Sequence, residues 1–187
     1  MVRSCGLLHV ALAATLLLAA IPPRADASVT DRTAQARLED RRLALDKRTA
    51  LITDRRGFEA YARTTAGTDT FPLHKLGPAS RIRFVESLRF NERGLTTFDY
   101  ADLVRELGAA DLHRVLKPFG FQHLVAILPD VRVNSDEDRQ VLQALKEVRE
   151  LRCGMGEHCN ETDYPGYKCI SHATCEDSTQ HICTSNC

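Results

Sequence analysis

The chain has 187 residues, seven cysteines and no tryptophan, and its 25 basic side chains balance 25 acidic ones. That balance lacks the strong basic footprint of a nucleic-acid binder, so nucleic acid is excluded as an expected partner. Neutrality hides an asymmetry. Residues 28–152 carry 22 basic and 19 acidic side chains, and residues 153–187 carry one basic against five acidic.

Arg3 precedes an apolar run from Leu7 to Ile21, which Pro22-Pro23 closes before the small-residue site Ala25-Asp26-Ala27. This is the layout of a signal peptide over residues 1–27, with the mature chain starting at Ser28. The apolar run is short for a membrane span. No second run is long enough to cross a bilayer, so no integral membrane segment is expected after cleavage. The product is expected to be secreted, extracellular or, in a bacterium, periplasmic.

Residues 30–64 read as one long helix or two joined ones. Leu38, Leu45 and Ile52 recur every seven residues, with Ala44, Leu51 and Phe58 beside them, and charged residues fill the other faces. Residues 65–79 form a connector. Ser80 then caps a helix over Arg81–Phe90 whose inward face is Phe84, Val85 and Leu88. Asn91-Glu92-Arg93-Gly94 reads as a turn.

From Thr96 to Gly120 the pattern predicts two short helices. Thr96 or Thr97 caps the first, Phe98, Leu103, Val104 and Leu107 form its apolar face, and Gly108 ends it. The second buries Leu112, Val115 and Leu116 before Pro118 and Gly120 stop it. The apolar run Phe121–Leu128 fits either a buried helix or a short central strand, and is read as a helix because its neighbours are helical. Ser135 with Asp138 opens the last helix, which buries Val141, Leu142, Leu145, Val148 and Leu151. The expected fold is mainly α: a small body of four to six helices over residues 28–152, followed by an irregular, disulfide-rich tail over residues 153–187.

Cys153, Cys159, Cys169, Cys175, Cys183 and Cys187 form the tail's block, and Cys5 lies in the leader. In an oxidising compartment three bridges are the simplest use of six cysteines, with fifteen connectivities open. Tyr164 and Tyr167 flank Pro165-Gly166, and stiff amphipathic tyrosines on such a turn suit contact with a partner. Asn160-Glu161-Thr162 is a glycosylation sequon for a eukaryotic host. His158, His172 and His181 lie among the cysteines, but oxidised sulfurs offer no thiolate and no spacing matches a zinc module. No metal or cofactor is expected.

No nucleophile elbow, zinc-protease motif, phosphate loop or dinucleotide fingerprint occurs. His113 and His123 flank the Pro118–Gly120 break, which places them to line one cleft. The functional expectation is a secreted, non-enzymatic protein that binds a protein or cell-surface receptor through its stapled C-terminal module. One alternative makes residues 28–152 a propeptide and the tail a released toxin-like, antimicrobial or inhibitory peptide. A second is a small secreted hydrolase without a recognisable motif.

Overall fold

The computed structural model describes residues 25–153 and 162–187. Most of the leader, with Cys5, and the segment holding His158, Cys159 and Asn160 lie outside the described residues. Six α-helices and four strands follow in the order α1 (Ala25–Arg48), α2 (Arg55–Thr64), α3 (Pro78–Ser87), β1 (Arg89–Asn91), β2 (Gly94–Asp99), α4 (Ala101–Glu106), α5 (Ala109–Leu116), α6 (Asp136–Cys153), β3 (Tyr164–Ser171) and β4 (Thr174–Cys183). No helix among the described residues is long and apolar enough to cross a membrane.

The expectation of a mainly α fold with an irregular tail is overturned. The chain has a four-stranded antiparallel sheet in the order β1-β2-β4-β3, and the tail contributes two of its strands. β4 inserts beside β2, pairing Thr97 with Cys183, Phe98 with Ile182 and Asp99 with His181. Thr96, Thr97 and Phe98 are therefore strand residues, not the start of a helix. They lie in a stretch buried from Gly94 to Phe98. β-Branched and aromatic residues suit a pleated, buried surface, and the partner that favours the strand lies more than eighty positions along the chain.

Local signals are obeyed where short-range hydrogen bonds decide the structure. β1 and β2 form a hairpin around Glu92-Arg93, with the Arg93 amide donating to Asn91 Oδ1 at 2.9 Å. α2 opens where Asp54 Oδ1 accepts the Gly57 amide at 2.7 Å, a helix cap that satisfies an otherwise free donor. α6 opens with a reciprocal box: the Asp138 amide donates to Ser135 Oγ, and Ser135 N to Asp138 Oδ2, both at 3.0 Å. Asp138 Oδ1 also accepts the Ala110 amide at 2.8 Å, which ties the starts of α5 and α6 together.

Two other expectations change. Phe121–Leu128 is not an α-helix; Gln122–Ala126 forms a 3-10 turn that buries Leu124 and Val125. On α1, Leu38 and Leu45 are 61% and 50% exposed, so the seven-residue stripe is not the buried face. The less exposed positions of that helix include Glu39, Leu43, Asp46 and Lys47, and they turn toward α6 and the Gln122–Ala126 turn. The core is aromatic and aliphatic. Phe84 meets Phe98 edge-on at 6.0 Å, and Phe58 lies 6.2 Å from Phe71 and 6.3 Å from Phe119. Ile182 joins this core from the tail with no solvent exposure.

Candidate functional site

The C-terminal hairpin bends back on itself. Eight extended steps would separate Cys175 from Cys183 by roughly 26 Å, yet their Cα atoms are 6.1 Å apart and a disulfide joins them. β4 therefore turns sharply within residues 178–181, where its register against β3 breaks. Opposite that break stands Gly166, with φ +84°. A left-handed backbone of this kind is open to glycine without steric cost. The second bridge joins Cys169 to Cys187, and the Ala173 amide at the hairpin tip donates to the Cys187 carbonyl at 2.7 Å. Cys153 is disulfide-bonded as well.

The sulfurs of Cys169, Cys183 and Cys187 lie within 4.8 Å of one another. All three are held in bridges, so they present no thiolate to a metal. Of the tail histidines in the described residues, His172 is exposed, and His181 Nδ1 lies 2.9 Å from Ser178 Oγ. Burial lowers the His181 pKa; Asp99 opposes that shift, and Lys168 and Arg89 add to it.

One buried junction fixes the hairpin's base to the helical part. Asp163 is 4% exposed and receives hydrogen bonds from three segments. Lys47 Nζ of α1 donates to its Oδ2 at 3.2 Å, His123 Nε2 lies 2.9 Å from the same oxygen, and the Ser185 amide donates to Oδ1 at 2.7 Å. Lys47 also donates to Ser185 Oγ at 2.6 Å and sits 5.1 Å above the Phe121 ring. Burial pushes the Asp163 carboxyl up, but the His123 hydrogen bond, the charges of Lys47 and His123 and the Ser185 amide together hold it well below the usual carboxylate range.

At the other side of the sheet β3 is an edge strand, paired among the described residues with β4 alone. Tyr164, Tyr167 and Ile170 are 46%, 41% and 50% exposed along it. The two tyrosine rings meet edge to face, with centroids 6.3 Å apart. The two sequence-selected tyrosines are thus brought together on one accessible edge. Ile170, three residues beyond Tyr167, instead lines a groove with Arg89, Phe90 and Thr96; it stood out in the sequence only as one of the tail's few apolar residues.

His113 and His123 line a single cavity of about 490 Å³ between α1, α5, α6 and the Gln122–Ala126 turn. Lys117, Arg149 and Arg152 line it too, and nothing in the local pattern around the histidines points to the two arginines, which come from α6. Glu86, Asp99, Asp102 and Glu106 do not gather with these histidines. Asp102 is instead paired with Arg83 and Arg105, and Glu106 accepts from the Gly77 amide and the Ser80 hydroxyl.

No protein-family model, no curated protein and no solved structure matches this chain.

Proposed function

We propose that the chain is a secreted, non-enzymatic binding protein whose C-terminal hairpin takes an extended segment of a protein partner along β3. The observation that carries this reading is the exposure of Tyr164 and Tyr167 on a strand that has one unpaired edge among the described residues. A free edge offers backbone donors and acceptors to an added strand, and neighbouring apolar side chains supply selectivity. Aromatic anchors on a stiff support suit such contact, because little side-chain freedom is lost on binding.

The anchoring of the hairpin supports one intact product over a released tail. Ile182 and Cys183 are fully buried against the helical part, and Asp163 is bonded to Lys47 and His123. Proteolytic release would uncover both surfaces and leave a buried charge cluster broken.

A display library of extended peptides, panned against the oxidised chain, tests the proposal. Enriched peptides are expected to lose at least about tenfold in affinity to a Tyr164→Ser/Tyr167→Ser variant of unchanged melting temperature, since anchor residues commonly carry 2 kcal/mol or more. Peptides that bind the variant equally well, or a library that yields no enriched sequence, would refute the β3 edge as the binding surface. Intact mass of the native secreted product distinguishes the alternative: a separate species spanning residues 153–187 would establish tail release.

A further inference from the structure

The two bridges of the C-terminal hairpin stand against each other. Cys169 is bonded to Cys187 and Cys175 to Cys183, yet the Cys183 sulfur lies within 4.8 Å of both sulfurs of the other bridge. A turn closed by the Cys187 amide on the Thr184 carbonyl, at 2.9 Å, brings Cys187 back beside Cys183. Cys169 and Cys175 are direct partners across the β3–β4 ladder. Facing positions in an antiparallel pair have Cα atoms about 4.5–5.5 Å apart, inside the range that a disulfide spans. The four cysteines are thus placed for two pairings: the one observed, and one that joins Cys169 to Cys175 and Cys183 to Cys187. Access to them is uneven. Cys183 and Cys187 are buried, whereas Cys169 and Cys175 are partly exposed. The Cys169–Cys187 bridge lines a surface groove of about 480 Å³, together with Phe90 of β1, Thr96 of β2 and Ile170 of β3. That volume admits a small organic molecule.

We propose that this groove is a thiol-exchange site, at which a small thiol switches the hairpin between its two disulfide pairings. The incoming thiolate attacks the Cys169 sulfur. A mixed disulfide forms, the bond to Cys187 breaks, and Cys187 leaves as a thiolate. Cys187 then attacks the adjacent Cys183 sulfur, which forms the Cys183–Cys187 bond and releases Cys175 as a thiolate. Cys175 attacks the Cys169 sulfur across the ladder, forms Cys169–Cys175 and returns the small thiolate. Two protein bridges are exchanged for two, nothing is oxidised or reduced overall, and the thiol acts as a catalyst. Every step is attack of a thiolate on a disulfide, which depends on thiolate fraction and access. The new bridges close shorter loops than the observed ones, whose members are 18 and 8 residues apart, so they constrain the chain less. Exchange therefore releases β3 from its tie to Cys187 just beyond Tyr167. This activity is independent of whether β3 takes a partner.

Exposed Glu176 separates Cys169 and Cys175 from Cys183 and Cys187 in the chain, and a protease specific for glutamate reads the pairing there. The full oxidised chain is incubated with reduced glutathione, its free thiols are blocked with N-ethylmaleimide, and it is then unfolded and cut without reduction. In the observed pairing residues 177–187 stay bonded to the rest of the chain. In the exchanged pairing they leave as a closed peptide that carries no block. Glutathione is expected to raise release of that unblocked peptide at least about tenfold over a thiol-free control. Residues 177–187 that never leave, or that leave only with both cysteines blocked, would overturn the assignment; the first outcome means no exchange and the second means plain reduction. Cys187→Ser gives a second reading with no added thiol. Its unpaired Cys169 is expected to attack Cys175, so that the block appears on Cys183 as well as on Cys169. A block confined to Cys169 would overturn the assignment too.

Discussion

Replacing Asp163 by asparagine probes the junction on which the hairpin's placement rests. The side chain of Asp163 is 5% exposed, that of His123 13% and that of Lys47 19%. Removing one member of a buried ion pair costs about 3–5 kcal/mol, because the other charge is left without compensation. Here the loss is expected at or just below the bottom of that range, about 2–3 kcal/mol. Lys47 keeps its bond to Ser185 Oγ, and the asparagine carbonyl still accepts the Ser185 amide. Urea unfolding of the oxidised protein, followed by far-ultraviolet circular dichroism, measures this directly. A cycle with Lys47→Met isolates the pair and is expected to give a coupling of about 1–3 kcal/mol. The pH dependence has a definite sign. The folded state holds the Asp163 pKa below its ordinary value of 3.8, so the unfolded state binds more protons at low pH. The contribution is complete above the unfolded value and is lost as pH falls through the folded one. The native protein should lose stability in that acid window, and Asp163→Asn should flatten the loss. A change under about 0.5 kcal/mol, or single-mutant effects that simply add, would refute the view that this junction holds the tail to the body.

Ile182→Ala tests the same attachment through the core, because Ile182 is fully buried beside Phe98; a loss of about 2–5 kcal/mol is expected in the unfolding of the helices themselves, and an unaltered helical transition would mean an unattached tail. Gly120 has φ +77°, and a Cβ there would fall 2.6 Å from the Asp46 carbonyl oxygen. Gly120→Ala is therefore expected to lower stability by about 2 kcal/mol or more through both strain and overlap, and a melting temperature within a degree or two of native would contradict the close approach.

Those parts of the fold governed by neighbours in the chain were legible. The Ser135–Asp138 box, the Asn91–Gly94 turn and the paired placement of Tyr164 and Tyr167 all follow from residues within a few positions of one another. β2 was hidden because Thr96 and Asp99 imitate a helix cap, while the pairing that makes the segment a strand comes from Thr97, Phe98 and Asp99 meeting Cys183, Ile182 and His181. α1 misled for a different reason. Hydrophobic periodicity marks a face only when that face is apolar, and the side α1 turns inward carries Glu39, Asp46 and Lys47 to line a cavity and bond Asp163. The same blindness applies to the cavity: His113 and His123 bracket one chain break, but Arg149 and Arg152 arrive from α6.

The insertion of β4 between β2 and β3 sets an order of events in the making of the molecule. β2 emerges from the ribosome before α4, α5 and α6, yet one of its two sheet neighbours, β4, follows all three helices. Until β4 arrives, the buried Thr97–Phe98 stretch has an open flank, in a chain whose closing contacts span more than eighty residues. Pairings of such long range form slowly and leave partly built strands open to association with other chains. Maturation of this protein should therefore be limited by its C-terminal strand, and yield should be most sensitive to lesions there, well away from the helices that make up most of its mass.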